Sequence, residues 1–475
     1  MFKDTGGIDA ASILLNLTDY RVIAATHESS GRQVLVEPIA TEAACPSCGV
    51  LTTRTQARPV HRVKDLPAGG HDLHVRVRKR RMACQEQACE RRSFVQTTEQ
   101  LPFRARITAR LSQQLVDEMR CELRAVSRVA AAHSVSWPTV MARLNTVGEL
   151  VGNVDRMFIR RLGIDEHRFR KVRYARGRTG KVVRIEPWSI VFTDLDTGKI
   201  LDIVYGRRGA AVKRWLKARP RYWRQRVQVV AIDMSSEFRK AVRDTLPKAK
   251  ISVDHFHVIA RANLMITQVR RRRSHEVHER RGRSTDSAYK YRKLLTCNLE
   301  NLSIKQGERL KLILETDPEL GVIYGVKEHV RDLLCATDVH EFQARWAVLE
   351  KSVRATKMVE AKSLFRTLSA WRRELLVFVR TRLTNARSEA ANLTAKNLKR
   401  IGRGYRNHDH YRVRTLVREY WNVRNQRFHH EDARQHPSLW QESKPSRVKN
   451  SDIDSKLSNV GDDVRIQAAE SKRTA

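Results

Sequence analysis

Between residues 157 and 254 the hydrophobic pattern changes period, and that change limits the possible folds more than any other feature of the chain. Met157 to Ile164, Ser189 to Leu195, Ile200 to Tyr205 and Val227 to Ile232 are short runs rich in Val, Ile and Leu, bounded by Gly, Asp and Pro, as buried strands are. Ile251 to Asp254 is a last short run. Helical patterns at Ala210 to Ala218 and Ser236 to Leu246 alternate with them, which makes this stretch a mixed α/β domain. On either side the period is helical: from Leu101 to about Val154 apolar residues fall three and four apart, and Val258 to about Tyr420 is helical throughout. From Gln441 onward the chain is polar and poor in aromatics, and reads as a disordered tail.

Charge decides what such a chain meets. With 92 Lys and Arg against 52 Asp and Glu the formal net charge is +40, and a chain this basic repels itself unless a polyanion neutralises it. Nucleic acid is the expected partner. No uninterrupted run of about 18 apolar residues occurs and the N-terminus lacks the basic-then-apolar order of a signal peptide, so no membrane association is expected. Seven cysteines, an odd number, suit reduced thiols and a cytoplasmic location on DNA.

Four of those cysteines lie in the first hundred residues. Cys45-Pro-Ser-Cys48-Gly is a knuckle in which a tight turn presents two thiolates to one ion, and Cys84 and Cys89 form a second, wider pair. Four sulfurs suit tetrahedral structural zinc, although His61, His71 or His74 can substitute for a member of the second pair in such a site. Cys121, Cys297 and Cys335 sit among apolar helix residues and are expected to pack in the core.

Ala125 to Leu144 has the rhythm of two short helices joined by a tight turn near His133 to Val135. Ser136 is placed as N-cap and Pro138 in the first turn of a helix beginning at Trp137. Val126, Val129, Val135, Val140 and Leu144 supply the internal face, with Ala130 and Ala131 allowing a close crossing. Trp137, Thr139 and Arg143 then face outward, as a recognition helix requires, although any αα-hairpin shares the pattern.

Two strand patterns end on aspartate, at Asp165 and at Asp233. One such residue is commonplace in turns and caps. Two on neighbouring strands bring hard oxygen donors within one metal's reach, and a pair of magnesium or manganese ions about 4 Å apart serves phosphoryl transfer by activating the attacking oxygen and stabilising the leaving one. For a third acid, Glu350, Glu360, Glu374, Glu389 and Glu419 all lie in the helical region. Thr384-Asn-Ala-Arg-Ser caps a new helix with Glu389 in its first turn, and the basic run beyond it, with Lys399, Arg400 and Arg403, is placed to hold a DNA strand. Glu360 and Glu374 have basic neighbours and read as solvated ion pairs.

Gly163-Ile-Asp-Glu-His167, Thr193-Asp-Leu-Asp-Thr-Gly-Lys-Ile-Leu-Asp202, Ala231-Ile-Asp-Met-Ser235 and Val253-Asp-His-Phe-His-Val258 resemble the catalytic motifs of the ISL3 insertion-sequence transposases, and Thr384 to Glu389 with Leu398 to Asn407 resembles the segment carrying that family's third acid. The resemblance implies a DDE transposase with a ribonuclease-H-like catalytic core, a helical insertion, and an end-binding region of zinc finger and helix-turn-helix. It makes Asp165, Asp233 and Glu389 the metal-binding catalytic triad, with Asp254 and His257 in support. Partners are then the terminal inverted repeats and target DNA, engaged by a homo-oligomer. Ala390, Ala391 and Asn392 depart from the family pattern of Gly and Asn after the glutamate, and the basic stretch Arg168 to Arg184 lengthens the first hairpin. A catalytically inactive DNA-binding derivative is the alternative activity.

The expected organisation is a zinc module at 1–100, a helix-turn-helix at 101–154, the first part of the catalytic core at 155–264, a helical insertion at 265–380, the rest of the core at 381–440 and the tail at 441–475. Arg270 and Arg271, in the run to Arg273, are candidates for a phosphate backbone. Trp346 and Trp371 suit core packing better than stacking on an unpaired base.

Overall fold

The computed structural model describes residues 10–418 apart from 29, 30, 152, 178 and 403, so Arg403, Glu419 and the tail lie outside the described residues. The N-terminal region holds three small sheets, of four, two and three strands. Leu73–Arg78 buries Leu73, Val75 and Val77 on alternate positions, as a strand with one wet face must. It pairs with Gly31–Pro38 and Val60–Lys64, and Tyr20–Glu28 completes a four-stranded sheet. The cysteines lie outside this sheet, on a hairpin of Ala43–Ala44 and Leu51–Thr52 and beside a three-stranded sheet of Thr55–Ala57, Arg81–Ala83 and Ser93–Val95.

Three helices follow: α1 (Ala109–Arg120), α2 (Val126–Ala132) and α3 (Trp137–Val151). Thr108 caps α1, and its hydroxyl donates to the fully buried Asp65 at 2.6 Å, which also accepts from Arg110 Nε at 2.8 Å and so ties the helices to the sheet. Ser134, with φ 47°, makes the turn between α2 and α3, and Ser136 Oγ accepts from the Thr139 N–H at 3.3 Å. Val129, Val140 and Leu144 are buried as expected, joined by Met141, while Val126 and Val135 are only partly covered. Ala130 is buried but Ala131 is exposed, so only the first forms the close crossing.

The central sheet is built from β1 (Arg161–Arg168), β2 (Trp188–Asp194), β3 (Ile200–Tyr205), β4 (Val229–Ile232) and β5 (Lys250–Val253), in the order β3-β2-β1-β4-β5. β1 runs antiparallel to β2, and β2 to β3, whereas β4 and β5 are parallel to β1, giving a ribonuclease-H-like mixed sheet. Helices α4 (Gly209–Lys217) and α5 (Ser236–Thr245) cover it. Strand β1 begins four residues later than Met157 and extends past Asp165, because Asp165 and His167 pair with Val191 and Ser189 on β2. The basic stretch after β1 forms a separate exposed ribbon of Arg173–Arg176 and Val182–Ile185.

From β5 the chain enters α6 (His255–His278), which crosses without a break from the sheet into the helical region. There α7 (Ile304–Thr316), α8 (Pro318–Cys335), α9 (Val339–Thr356), α10 (Val359–Ala370) and α11 (Arg372–Thr381) share one apolar core with the sheet. Trp346 and Trp371 are buried in that core, which fits packing and leaves no face for a base. Cys121 and Cys335 correct the expectation of core thiols: both are exposed, since they fall where α1 and α8 end and the apolar face has run out. Cys297 is half-buried. The chain returns to the sheet in α12 (Ala386–Ile401), and the last helix among the described residues covers 408–418. No helix among the described residues is long and apolar enough to cross a membrane.

Candidate active site and metal centre

Strand register sets the acidic site. Ile164 of β1 pairs with Ile232 of β4, and Ile232 with Val253 of β5, so Asp165, Asp233 and Asp254 stand in a row, each one residue beyond a paired position at the same edge of the sheet. Their proximity shows in the electrostatics: burial, then the charge of Asp233, raises Asp165 from its ordinary value to about 6. Asp254 is fully buried, caps α6 by accepting from the Phe256 N–H at 3.4 Å, and leaves Oδ2 without a hydrogen-bond partner among the described residues. His257 Nε2 stands 3.1 Å from Asp233 Oδ2, and this contact raises the imidazole above its usual range. Asp233, Asp254 and His257 thus present ligand atoms within 4.8 Å of one another.

Helix α12 lies over this edge, and its placement depends on Gly163. A Cβ there would stand 2.0 Å from Ser388 Oγ and 2.8 Å from the Leu195 side chain, so only glycine lets the helix approach. Ser252 Oγ donates to the Leu383 carbonyl at 2.8 Å and pins the preceding turn. The sequence places a cap for α12 within Thr384 to Ser388. Asn385 turns its amide toward Asp233 at 3.4 Å and makes no side-chain cap. Seven residues on, Asn392 donates from Nδ2 to Asp165. Glu389 lies four residues after Asn385 and three before Asn392, hence on the same helix face. It is exposed, and its carboxylate has no hydrogen-bond or ionic partner among the described residues. Glu374 and Glu360 are instead committed to arginines, Glu374 to Arg243 and Glu360 to Arg272 at 2.8 Å. Glu374 is buried, in the first turn of α11, not in a solvated pair.

A polar chain behind Asp165 had little signal in the sequence. With Nδ2 of Asn392 donating to Asp165, its Oδ1 accepts from His167 Nδ1 at 2.9 Å, which leaves Nε2 to accept from the Tyr411 hydroxyl at 2.9 Å. Burial holds His167 neutral, down at about 4, as this pattern of one donor and one acceptor requires. Asn392, an apparent departure from the family pattern, therefore orients a carboxylate.

The four cysteines converge. Cys45 and Cys89 sulfurs lie 3.9 Å apart and those of Cys48 and Cys84 3.6 Å apart, all four within 4.8 Å, without any of His61, His71 or His74 in the group. Gly49, at φ 76°, turns the first knuckle and donates its N–H to the Cys45 carbonyl at 2.8 Å. The Cys48 and Ser47 backbone N–H groups pull Cys45 down to about 6; at Cys84 the Glu86 N–H favours the thiolate, but burial and the neighbouring sulfurs push it up to about 12. Crowded thiols of unequal acidity are what a dication would ionise together.

The expected DNA contacts divide. Arg143 and Arg400 are exposed. Trp137 is 42% exposed but rests against the His410 ring, with centroids 5.2 Å apart, and Thr139 is half-buried with its hydroxyl 2.8 Å from Ser136 Oγ. Lys399 donates to the Arg168 carbonyl at 3.0 Å. Arg270 is buried, 7% exposed, while Arg271 beside it is exposed; an outward-facing pair is thereby corrected, because α6 turns Arg270 toward Tyr289.

A transposase family model, that of the ISL3 DDE domain, matches residues 162–415. A second, the zinc-finger of transposases of the IS204/IS1001/IS1096/IS1165 group, matches residues 41–89 and contains all four cysteines, which supports structural zinc there. The transposase for insertion sequence element IS1001 of Bordetella parapertussis is 24% identical over 392 residues, 81% of this chain and 91% of the relative. Among solved structures the Drosophila P element transposase strand transfer complex matches with a TM-score of 0.33 and 9% identity, over 65% of this chain and 91% of that one.

Proposed function

This chain belongs to the ISL3 family of DDE transposases, enzymes of DNA strand cleavage and transfer, and from that premise we propose that Asp165, Asp233 and Glu389 are its catalytic acids. The observation that carries the assignment is the juxtaposition of Asp165 and Asp233 by strand register, with Asn385 and Asn392 of one helix face reaching each of them and Glu389 between. Hard carboxylate oxygens, one of them held above its ordinary pKa by burial and a like charge, fit magnesium or manganese. Two such ions held by these acids would supply an activated water or 3′-hydroxyl and stabilise the leaving oxygen. The chain's own residues do the positioning. Asn392 fixes the rotamer of Asp165 and is itself held by His167 and Tyr411. His257 donates to Asp233 and partly offsets the repulsion between neighbouring carboxylates. Glu389 is exposed, which leaves its carboxylate open to solvent and to a substrate strand.

The substrate reading is the terminal inverted repeats of the element, held by α2 and α3 with Arg143 toward the DNA, and a target strand, within a homo-oligomer. The first test is Glu389→Gln, which keeps shape and removes charge. Cleavage and strand transfer should vanish with repeat binding intact, whereas wild-type cleavage in Glu389→Gln together with loss in Glu374→Gln would move the third acid into the insertion. A fragment ending before Arg124 that binds the repeats as tightly as the whole chain would remove α2 and α3 from the reading role.

A further inference from the structure

The arginine run of α6 splits into two environments. Arg272 and Arg273 are spent on carboxylates: Arg272 pairs with Glu360 at 2.8 Å and Glu319 at 3.0 Å, and Arg273 with Glu276 at 2.8 Å and Asp317 at 3.2 Å. Arg270 and Arg271 line a cleft of about 500 Å³ with Arg281, Arg292, Lys293 and Tyr289, and the rest of its lining is threonine and glycine. Among the described residues no Asp or Glu lines it. Arg270, though buried, has no ion pair or hydrogen bond among the described residues; it lies over the Tyr289 ring at 5.6 Å, with Arg292 also over that ring at 4.5 Å.

The cleft is built, not a chance gathering of surface lysines. A Cβ on Gly282 would stand 2.7 Å from Tyr289 Cβ, so this glycine is what lets the turn after α6 close on the tyrosine. That turn is locked by Asp286, which accepts from Arg280 at 2.6 Å and from the Arg283 N–H at 2.7 Å. Asp286 is thereby used up, and Arg281 lies at the rim. Five cations around a cleft without a counter-charge repel one another, and one of them is desolvated. A bound anion relieves both costs.

We propose that this cleft binds the phosphate groups of a DNA strand, as a second DNA contact in the helical insertion, separate from the acidic site and from α3. Arg271, Arg281, Arg292 and Lys293 are all exposed, spread along an open rim as a run of phosphates requires, and no apolar slot for a single base accompanies them. The inference rests on DNA as the substrate and not on which residue is the third acid.

Its test is equilibrium binding of the full chain to a labelled duplex across a salt series, without divalent metal, so that cleavage does not enter. Arg281→Ala/Lys293→Ala removes two exposed rim charges, and Lys305→Ala/Arg366→Ala removes two exposed charges from the same region as control. The slope of log affinity against log salt should become shallower by about 0.9 per lost phosphate contact, close to two contacts in all, with about tenfold weaker binding at moderate salt, in the rim variant only. Equal behaviour of rim and control variants would overturn the proposal. So would one-to-one binding of a nucleoside triphosphate that the rim variant loses while its DNA slope stays at the wild-type value, since the occupant is then a free nucleotide. Arg270→Met should raise the melting temperature of the DNA-free protein and still flatten the slope; a lower melting temperature with an unchanged slope would show that Arg270 only packs.

Discussion

In the N-terminal cysteine hairpins four sulfurs lie within 4.8 Å of one another, and the apolar cluster around them amounts to Met82, Phe94, Ala43 and three of the cysteines, Cys45, Cys84 and Cys89. At the edge of the catalytic sheet Asp165 and Asp233 are instead set by a strand register, over a core that extends through the sheet and the insertion, while Glu389 is exposed and without a partner among the described residues. On the reading proposed above, the first is a closed ligand set with little apolar scaffold and the second an open set on a large apolar core. Structural and catalytic metal sites divide in this way because one must supply folding energy and the other must leave positions for reacting oxygens.

Removing the zinc is the hardest blow to that comparison. A chelator, or Cys48→Ser, should unfold residues 41–89 at a cost on the order of 10 kcal/mol, seen as loss of amide protection there with the catalytic sheet still protected. A ribbon that keeps its protection after complete metal removal would erase the distinction. At the acidic site the same chelator should leave the fold standing and abolish turnover. Glu389→Gln should cut cleavage by about three orders of magnitude, equivalent to about 4 kcal/mol of transition-state stabilisation, with an unchanged melting temperature.

Smaller effects sharpen the contrast. Asn392→Ala removes the side-chain amide that donates to Asp165, leaving the Glu166 backbone N–H at 2.7 Å, and should weaken divalent-metal affinity about 10- to 100-fold, the usual toll for a group that orients a ligand. If manganese titration of Asn392→Ala matches the wild type, the chain through His167 and Tyr411 is packing alone. Asp165 tests the scaffold from the other side. Its folded-state value of about 6 exceeds the ordinary carboxylate value, so its proton stabilises the metal-free fold at low pH and that contribution is lost as pH rises from about 4 through 6. Asp165→Asn should therefore stabilise the metal-free protein at pH 7 by on the order of 1 kcal/mol, an increase absent at pH 4. Metal binding runs oppositely: the proton competes, so manganese affinity should fall as pH drops below about 6.

The strands of the central sheet and the convergence of cysteines were legible because each rests on a local pattern: β3 was bounded correctly by its apolar run, and Cys45 and Cys48 were marked by the knuckle. What stayed hidden depends on contacts between distant segments. The extension of β1 past Asp165 comes from pairing with β2, and Asn385 forgoes its cap because Asp233 stands opposite. The chain from Asp165 to Tyr411 joins residues more than 200 apart in sequence. Arg270 and Arg272 look alike in a basic run, and only the acids of α8 and α10 tell them apart. The one readable hint was Asn392 itself, which stood out as a departure from the expected motif.

The central claim is that one metal-binding site is formed by Asp165, Asp233 and Glu389. Ferrous iron substituted for magnesium, with peroxide and ascorbate added, cuts a backbone close to where the metal sits. In the DNA-bound full chain the account predicts three clusters of cuts, near residues 165, 233 and 389. Cuts near 165 and 233 accompanied by a third cluster near 360 or 374, with 389 untouched, would contradict it.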